Sequence, residues 1–234
     1  YGDAFIGLSH HQRAVVLKAL TAHTARWPKR TADWIKQNIG PHGQGQAPKQ
    51  KDNIRRFLGY GVVDADEAVA CAADRATFWA VGVLERKKSA MVEFPLPACL
   101  HGKAKPHAVW ATLAWLTPVR PGRKAYRAVK LLLLDPTATE SLRVEGASDQ
   151  PDHNQIKHGT LISRRWSGEE SPIIGDGLTC RLAVQRAADQ GETVDEAVPF
   201  GLAISLAMPG ENEIYQQVRQ RLAEMQRLAP PVWV

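Results

Sequence analysis

The strongest constraint on the fold of this chain is an apolar alternation with a period of two, which recurs from residue 74 onward. Between residues 201 and 208, Leu202, Ile204 and Leu206 alternate with small residues, as in a β-strand that turns one face to a core. The segments 108–115 and 179–185 alternate in the same way. Other strands are predicted at 76–84, 90–96, 127–134, 142–146 and 159–166.

Short turns separate these segments, for example Asp135-Pro136 and Gly175-Asp176-Gly177. About eight short strands joined by such turns predict a mainly β fold with added helices, built around an antiparallel, jelly-roll-like β-sandwich. The residues expected in its core are Val109, Leu113, Leu182, Val184, Leu202, Ile204 and Leu206.

The first 72 residues have a helical pattern instead. Ser9 and Gln12 have the spacing of a capping box, and apolar residues follow at helical intervals up to Trp27. Three further segments are predicted here: a helix at 31–39, an exposed loop at 40–52, and a helix capped by Asp64 from residue 65 to about 72.

This change of pattern divides the chain into two predicted domains. Residues 1–72 form a small helical segment, and residues 73–234 form the sandwich and end in an amphipathic helix. The apolar positions of that last helix are Ile214, Tyr215, Val218, Leu222, Met225 and Leu228.

Composition excludes some classes of partner. The chain has 234 residues and a formal net charge of +6, but its basic residues are not focused into the stripe of a nucleic-acid-binding surface. The uncharged apolar runs, such as Ala68–Ala73 and Leu131–Leu134, are far shorter than the roughly 20 residues of a membrane-spanning helix. No basic and apolar leader opens the sequence. We therefore expect no nucleic acid and no membrane as partners, and three cysteines without paired spacing favour a cytoplasmic location.

Motifs for catalysis or cofactor binding are not recognisable in the sequence. No serine stands in a Gly-x-Ser-x-Gly or Gly-Thr-Ser context, and the 8 histidines lack metal-ligand spacing. His23 is interpreted as a packed or hydrogen-bonded helix residue rather than a base. Gly59-Tyr60-Gly61 lacks the third glycine of a phosphate loop, and Glu169-Glu170 and Asp149…Asp152 are interpreted as loop carboxylates. The sequence thus predicts no catalytic, cofactor-binding or metal-ligating residue, and no cofactor.

Trp110 and Trp115 lie five positions apart on one predicted strand and so point to opposite faces. One of them is expected in the core, and the other is either exposed or covered by a neighbouring segment. An exposed aromatic side chain would suit a sugar-binding sandwich, although packing is the commoner role of such a residue.

Two stretches of the helical segment resemble the closing part of the catalytic domain of subtilisin-like serine peptidases, the subtilases. The first reads Arg13-Ala14-Val15-Val16-Leu17-Lys18-Ala19-Leu20-Thr21-Ala22-His23-Thr24-Ala25, and the second Gly59-Tyr60-Gly61-Val62-Val63-Asp64-Ala65-Asp66-Glu67-Ala68. Ala22–Trp27 and Arg56–Gly61 are similar to large bacterial subtilases that carry a C-terminal β-rich extension. Ala73–Thr77 and Pro95–Pro97 extend this resemblance into the second domain.

The resemblance implies that residues 1–72 end a catalytic domain and that residues 73–234 are an accessory domain. The Asp, His and Ser motifs of the family, and its oxyanion-hole Asn, precede the resembling part, and none of them maps onto this chain. The chain alone is therefore expected to hydrolyse no peptide bond. Its expected role is to stabilise the catalytic unit or to bind a partner or substrate. The alternative is an independent β-sandwich module that binds protein or carbohydrate.

The resemblance also leads to a prediction about association. In subtilases the helix around Arg13–Arg26 packs beside a parallel sheet that earlier sequence contributes. Val15, Val16, Leu17 and Leu20 give this helix a wide apolar face, which is unfavourable to expose. We therefore expect residues 13–27 to pack against an upstream fragment or a second copy, with Trp27 and Phe57 as anchors, or else to be less ordered than the sandwich.

Overall fold

The computed structural model describes residues 5–40, 53–101, 107–122, 126–134, 148–150, 159–167, 179–188 and 194–228. Its helices are α1 (His10–Thr24), α2 (Lys29–Asn38), α3 (Ala65–Val69) and α4 (Ile214–Leu228), and residues 53–58 are also helical. Its strands are β1 (Arg75–Leu84), β2 (Ser89–Pro95), β3 (Ala108–Trp115), β4 (Val129–Leu133), β5 (Ser148–Gln150), β6 (Leu161–Ser167), β7 (Thr179–Ala188) and β8 (Val198–Ala207).

The strands form two antiparallel sheets. One sheet has five strands in the order β1-β8-β3-β6-β5, and the other has three in the order β2-β7-β4. The prediction of an antiparallel, β-rich fold with a few helices is therefore confirmed. The strand expected at 142–146 and most of the loop expected at 40–52 lie outside the described residues.

The main core lies between the inner faces of the two sheets. It includes Trp115 and Phe200 from the five-stranded sheet, and Phe94 and Leu131 from the three-stranded sheet. The prediction of the core residues is confirmed, because each of them belongs to this cluster and is at most 1% exposed. Burial of each large apolar side chain contributes roughly 1.5–3 kcal/mol to stability.

Helix α1 covers the outer face of the five-stranded sheet. It begins at the predicted capping box, in which Ser9 Oγ accepts from the Gln12 amide at 3.2 Å and Gln12 Oε1 accepts from the Ser9 amide at 2.9 Å. The helix contacts β8, β3 and β1. Its approach to β8 is close, since a Cβ on Gly201 would lie 2.6 Å from the carbonyl oxygen of Val15. Only a residue without a side chain allows this packing.

The apolar face of α1 is thus buried within the chain itself, which differs from our expectation of a partner or of poorer order. Val15 and Val16 are fully buried and Leu20 nearly so, while Leu17 is 55% exposed. Val16, Ala19 and Leu20 form a second apolar cluster with side chains of β3, β6 and β8. The expectation was wrong about the need for an outside partner because this sheet supplies the missing surface. Self-association through residues 13–27 stays a prediction.

The turn at Gly59–Gly61, which follows the helical residues 53–58, brings the chain back to the C-terminal end of α1. Gly59 and Gly61 have φ angles of +56° and +110°, which residues with a side chain rarely adopt. A Cβ on Gly61 would overlap the carbonyl group of Arg26. Arg26 and Val62 exchange two backbone hydrogen bonds of 2.9 Å. The glycines of the Gly-Tyr-Gly sequence therefore serve a tight turn and a close approach of two backbones.

The other predicted helices are present with small differences. Asp64 caps α3 by accepting from the Glu67 amide at 2.8 Å, but this helix ends at Val69 rather than near residue 72. Helix α4 buries Ile214 and Val218 in the main core, as its amphipathic pattern predicts. The helical stretch at 53–58 was not predicted.

Candidate functional site

The outer face of the five-stranded sheet has a polar part beneath the C-terminal end of α1. Strand register places Thr77 opposite Ser205, Ser205 opposite Trp110, and Trp110 opposite Arg165, so one row of side chains crosses β1, β8, β3 and β6. The neighbouring row contains Thr112 and Ser163 on β3 and β6. These residues share a face because cross-strand partners point to the same side of a sheet.

His23 of α1 inserts between these two rows. Its Nδ1 lies 2.9 Å from Thr112 Oγ1, and its Nε2 lies 2.7 Å from Ser205 Oγ. Ser205 Oγ is 2.6 Å from Thr77 Oγ1, and Thr112 Oγ1 is 2.9 Å from Ser163 Oγ. Together these five side chains form a continuous chain of hydrogen bonds, which we call the hydroxyl row. It links α1 to four strands of the sheet.

The environment of His23 keeps its imidazole neutral. The side chain is buried, with 1% of the residue exposed. This burial, followed by the positive charges of Arg26, Arg75 and Arg165, lowers the pKa of His23 well below its usual value of 6.5. A neutral imidazole donates from one nitrogen and accepts at the other, so both ring nitrogens can be satisfied by hydroxyl groups.

The contact between His23 and Ser205 has the length of a nucleophile–base hydrogen bond, but not the surroundings of one. A serine nucleophile needs an acid that orients its histidine and an open path for the substrate. Here Thr112 occupies the other ring nitrogen, and Ser205 is fully buried. The interpretation of His23 as a packed, hydrogen-bonded helix residue is confirmed.

Trp110 lies beside the hydroxyl row beneath two arginines. The guanidinium carbons of Arg26 and Arg165 lie 5.5 Å and 5.1 Å from the centroid of its ring, within the range of cation–π attraction. The His23 ring stacks on the same indole at 5.6 Å between centroids. We call Trp110, Arg26 and Arg165 the Trp110 cluster.

The two tryptophans of β3 do point to opposite faces, as the sequence predicts. Trp115 is fully buried in the main core, while Trp110 is covered by α1 and 4% exposed. Its ring is therefore not free to stack on a sugar.

A single carboxylate lies between two arginines next to this cluster. Glu67 Oε1 is 3.3 Å from Arg26 Nη2 and 3.5 Å from Arg75 Nη1. The other terminal nitrogen of Arg26 donates to the carbonyls of His23 and Ala25 at 2.6 Å and 3.0 Å. Arg26 thus closes the C-terminal end of α1, where a positive charge is favourable.

A groove lies beside α1, between this helix, the Gly-Tyr-Gly turn and the start of β6. It has a volume of about 500 Å³. Lys18 lines it and donates to Thr160 Oγ1 at 2.5 Å and to the Thr160 carbonyl at 3.1 Å. Burial lowers the pKa of Lys18, and burial raises the pKa of Tyr60, which also lines the groove, to about 12. The groove is lined mostly by apolar atoms of Ala22, Ala25, Val63 and Leu161.

The remaining residues considered from the sequence are partly outside the described ranges. His10 and His11 are exposed at the start of α1, while Glu169, Glu170 and Asp152 lie outside the described residues. Within the described ranges, no group of three His, Cys, Asp or Glu side chains could hold a metal ion. In the same part of the chain, no helix is long and apolar enough to cross a membrane. The three cysteines, all among the described residues, form no disulfide bond.

Comparison with known proteins gives no further identification. The chain matches no protein-family model. It matches no curated protein either.

Proposed function

We propose that this chain is the non-catalytic C-terminal region of a bacterial subtilisin-like serine endopeptidase. Its first part would end the catalytic domain, and its β-rich part would stabilise that domain or bind a partner or substrate. The observation that carries the proposal is that the two stretches resembling subtilases, Arg13–Ala25 and Gly59–Ala68, lie together through the adjoining Arg26–Val62 backbone pair. The stretch Arg13–Ala25, which resembles subtilases, includes His23 and is anchored through the hydroxyl row.

The structural roles of the motif glycines support this proposal. Gly59 and Gly61 both need positive φ, and Gly61 also lets the backbone of Arg26 approach. The two stretches that carry the resemblance therefore meet in space, through the Arg26–Val62 backbone pair. Because the two stretches contact each other, a change in one would disturb the other, which is a physical reason for both to occur together in one family.

The order of the strands supports the finer proposal of a jelly roll. An eight-stranded jelly roll alternates its strands between two sheets, with the orders 1-8-3-6 and 2-7-4-5. This chain has β1-β8-β3-β6 and β2-β7-β4, and differs in that β5 pairs with β6. A cytoplasmic location is also part of the proposal, favoured by three cysteines that form no disulfide bond among the described residues.

The proposal includes inactivity of the isolated chain, because the triad would be supplied by an upstream segment. The test is labelling of the purified chain with a fluorophosphonate probe, together with casein hydrolysis. We expect no labelling above that of Ser205→Ala and no hydrolysis. Labelling that disappears in Ser205→Ala would contradict the proposal.

A second test concerns the parent protein. The DNA upstream of the codon for Tyr1 is sequenced and translated in frame. An in-frame Gly-Thr-Ser motif would support a peptidase parent, and a start codon directly before Tyr1 would contradict it.

The second candidate function is an independent protein-binding module, which the groove beside Lys18 favours. Its apolar lining and volume of about 500 Å³ would accommodate one or two side chains of a partner. The carbohydrate-binding form of this alternative has less support, because the Trp110 ring is covered. Val63→Arg would introduce a long charged side chain at the groove. It would abolish partner binding if the chain is an independent binding module, and it would leave partner binding unchanged if the chain is the C-terminal region of a peptidase.

A further inference from the structure

We propose that the Trp110 cluster is a binding site for a phosphate-type oxyanion, held between the guanidinium groups of Arg26 and Arg165. The inference is independent of the proposed function, because it rests on charges and donors of this chain alone. Three observations carry it.

The first observation is the convergence of two guanidinium groups on one indole ring. Arg26 comes from the end of α1 and Arg165 from β6, yet both lie within 5.5 Å of the ring centroid of Trp110. The strand register fixes Arg165 beside Trp110, and bonds to two α1 carbonyls fix Arg26. Stacking leaves the edges of the Arg165 guanidinium available to donate, and such edges match the oxygens of a phosphate. Arg26 uses Nη1 for two carbonyls and Nη2 for Glu67, and therefore contributes mainly its positive charge.

The second observation is a surplus of positive charge. Glu67 pairs with Arg26 and with Arg75, so one carboxylate serves two cations. Arg165 has no carboxylate within ion-pair distance among the described side chains, which do not include those of residues 148–150 on the neighbouring strand β5. The arginines also disfavour each other, since the charges of Arg165 and Arg75 lower the pKa of Arg26, after burial and against the opposing effects of Glu67 and Asp64. An anion beside Arg165 would relieve this repulsion.

The third observation is a surplus of hydrogen-bond donors. The Trp110 Nε1–H is buried and has no acceptor among the described residues, whereas Trp115 Nε1 donates to the Val129 carbonyl at 3.3 Å. An unpaired buried donor is unfavourable and uncommon. The region around the Trp110 ring is therefore rich in donors and cations and poor in acceptors, which is the composition that an oxyanion complements.

Access and ligand class follow from exposure. Arg165 is exposed and the side chain of Arg26 is 38% exposed, so both side chains are open to solvent. A phosphate group offers oxygens to both arginines at once and carries more charge than a carboxylate at neutral pH. We therefore expect phosphate to bind more tightly than acetate.

The test uses the indole N–H signals of the whole chain in two-dimensional ¹H–¹⁵N NMR. The Trp110 signal is assigned with Trp110→Phe and the Trp115 signal with Trp115→Phe. Titration with inorganic phosphate at constant ionic strength should shift the Trp110 signal saturably and leave that of Trp115 in place. Absence of a saturable shift at Trp110 would overturn the proposal.

Substitutions identify the ligand-binding side chain. Arg165→Gln should weaken phosphate binding about tenfold or more, as expected for loss of a charge-assisted contact. The matched control is Arg181→Gln, an exposed strand arginine that pairs with Glu93 at 2.5 Å on the other sheet, and it should bind like the parent chain. Equal affinities of Arg165→Gln and the parent chain would overturn the proposal even if phosphate binds elsewhere.

Two further titrations define the ligand. Acetate should shift the Trp110 signal only at higher concentration than phosphate does, and the reverse order would overturn the assignment to phosphate. A short phosphoserine peptide tests the source of the group. If the peptide shifts the Trp110 signal at a lower concentration than inorganic phosphate does, the ligand of the site is a protein-borne phosphate. If the peptide needs an equal or higher concentration, the ligand is free phosphate.

Discussion

On the five-stranded sheet, the inner face of β8 presents leucine and isoleucine side chains to the core, whereas its outer face presents Gly201, Ala203 and Ser205 to α1. The inner face is held by apolar area, which is not directional. The outer face adds to a smaller apolar cluster one close backbone approach and a directional hydrogen-bond chain. One strand can therefore combine two kinds of stabilisation, and its two faces tolerate amino-acid substitutions differently.

The largest expected effect tests the inner face. Ile204→Asp should unfold the chain, because an unpaired buried charge costs several kcal/mol, on the order of the whole stability of a domain. Thermal unfolding followed by circular dichroism measures this effect. The control is Met91→Asp on β2, where the side chain is 58% exposed, and it should change the melting temperature little. An Ile204→Asp chain with the parent melting temperature would show that the described register of β8 is wrong.

The second prediction separates the two faces. Gly201→Ala should destabilise the docking of α1 by about 1–3 kcal/mol, because the added Cβ would contact the Val15 carbonyl. Hydrogen exchange should become faster in α1 while the amides of β3 and β8 stay protected. Gly40→Ala is the matched control, since its Cβ would meet no atom within 4 Å. Equal loss of protection in helix and strands would show that the two faces are not separable.

The inner face could be predicted from the sequence, and the outer face could not. Alternation reveals which residues of one strand share a face, and so the core residues of β3, β7 and β8 were predicted correctly. It does not reveal which strands are neighbours. Thr77 and Ser205 meet only because β1 pairs with β8, although the two residues are 128 positions apart.

The covering of the outer face by α1 was missed for a related reason. Gly201, Ala203 and Ala114 are small, and the sequence alone gives no sign whether small residues face solvent or leave room for a helix. The sequence alone therefore predicts an outside partner for the apolar face of α1. The two signals belong together, since a wide apolar helix face and a row of small residues on neighbouring strands are complementary surfaces.

The third prediction uses pH to weaken the outer face alone. The pKa of His23 is lowered in the folded chain by burial and then by three arginines, while the unfolded chain keeps a value near 6.5. Below pH 6.5 the unfolded state therefore binds a proton that the folded state does not. The contribution of His23 to stability is complete above pH 6.5 and decreases by up to about 1.4 kcal/mol per pH unit as the pH falls toward the folded pKa.

Urea unfolding between pH 6.5 and pH 5 measures this slope, and His23→Gln is the control. The other histidines contribute equally to both chains, so the difference between the two slopes belongs to His23. We expect the slope of His23→Gln to be shallower. Equal slopes would show that His23 is not protected from protonation in the folded chain.

The smallest expected effect concerns Leu17, the one large residue on the apolar face of α1 that the sheet leaves exposed. Leu17→Gln should change the free energy of unfolding by no more than about 0.5 kcal/mol, because little of its surface is buried. Val16→Ala, one position earlier and fully buried, should cost more, since it removes apolar contacts with β3 and β8. Sedimentation velocity at several concentrations adds the association state. If residues 13–27 mediate self-association, Leu17→Gln should weaken it, because Leu17 is the part of that face still open to a second copy; an unchanged concentration dependence would exclude this helix as the contact.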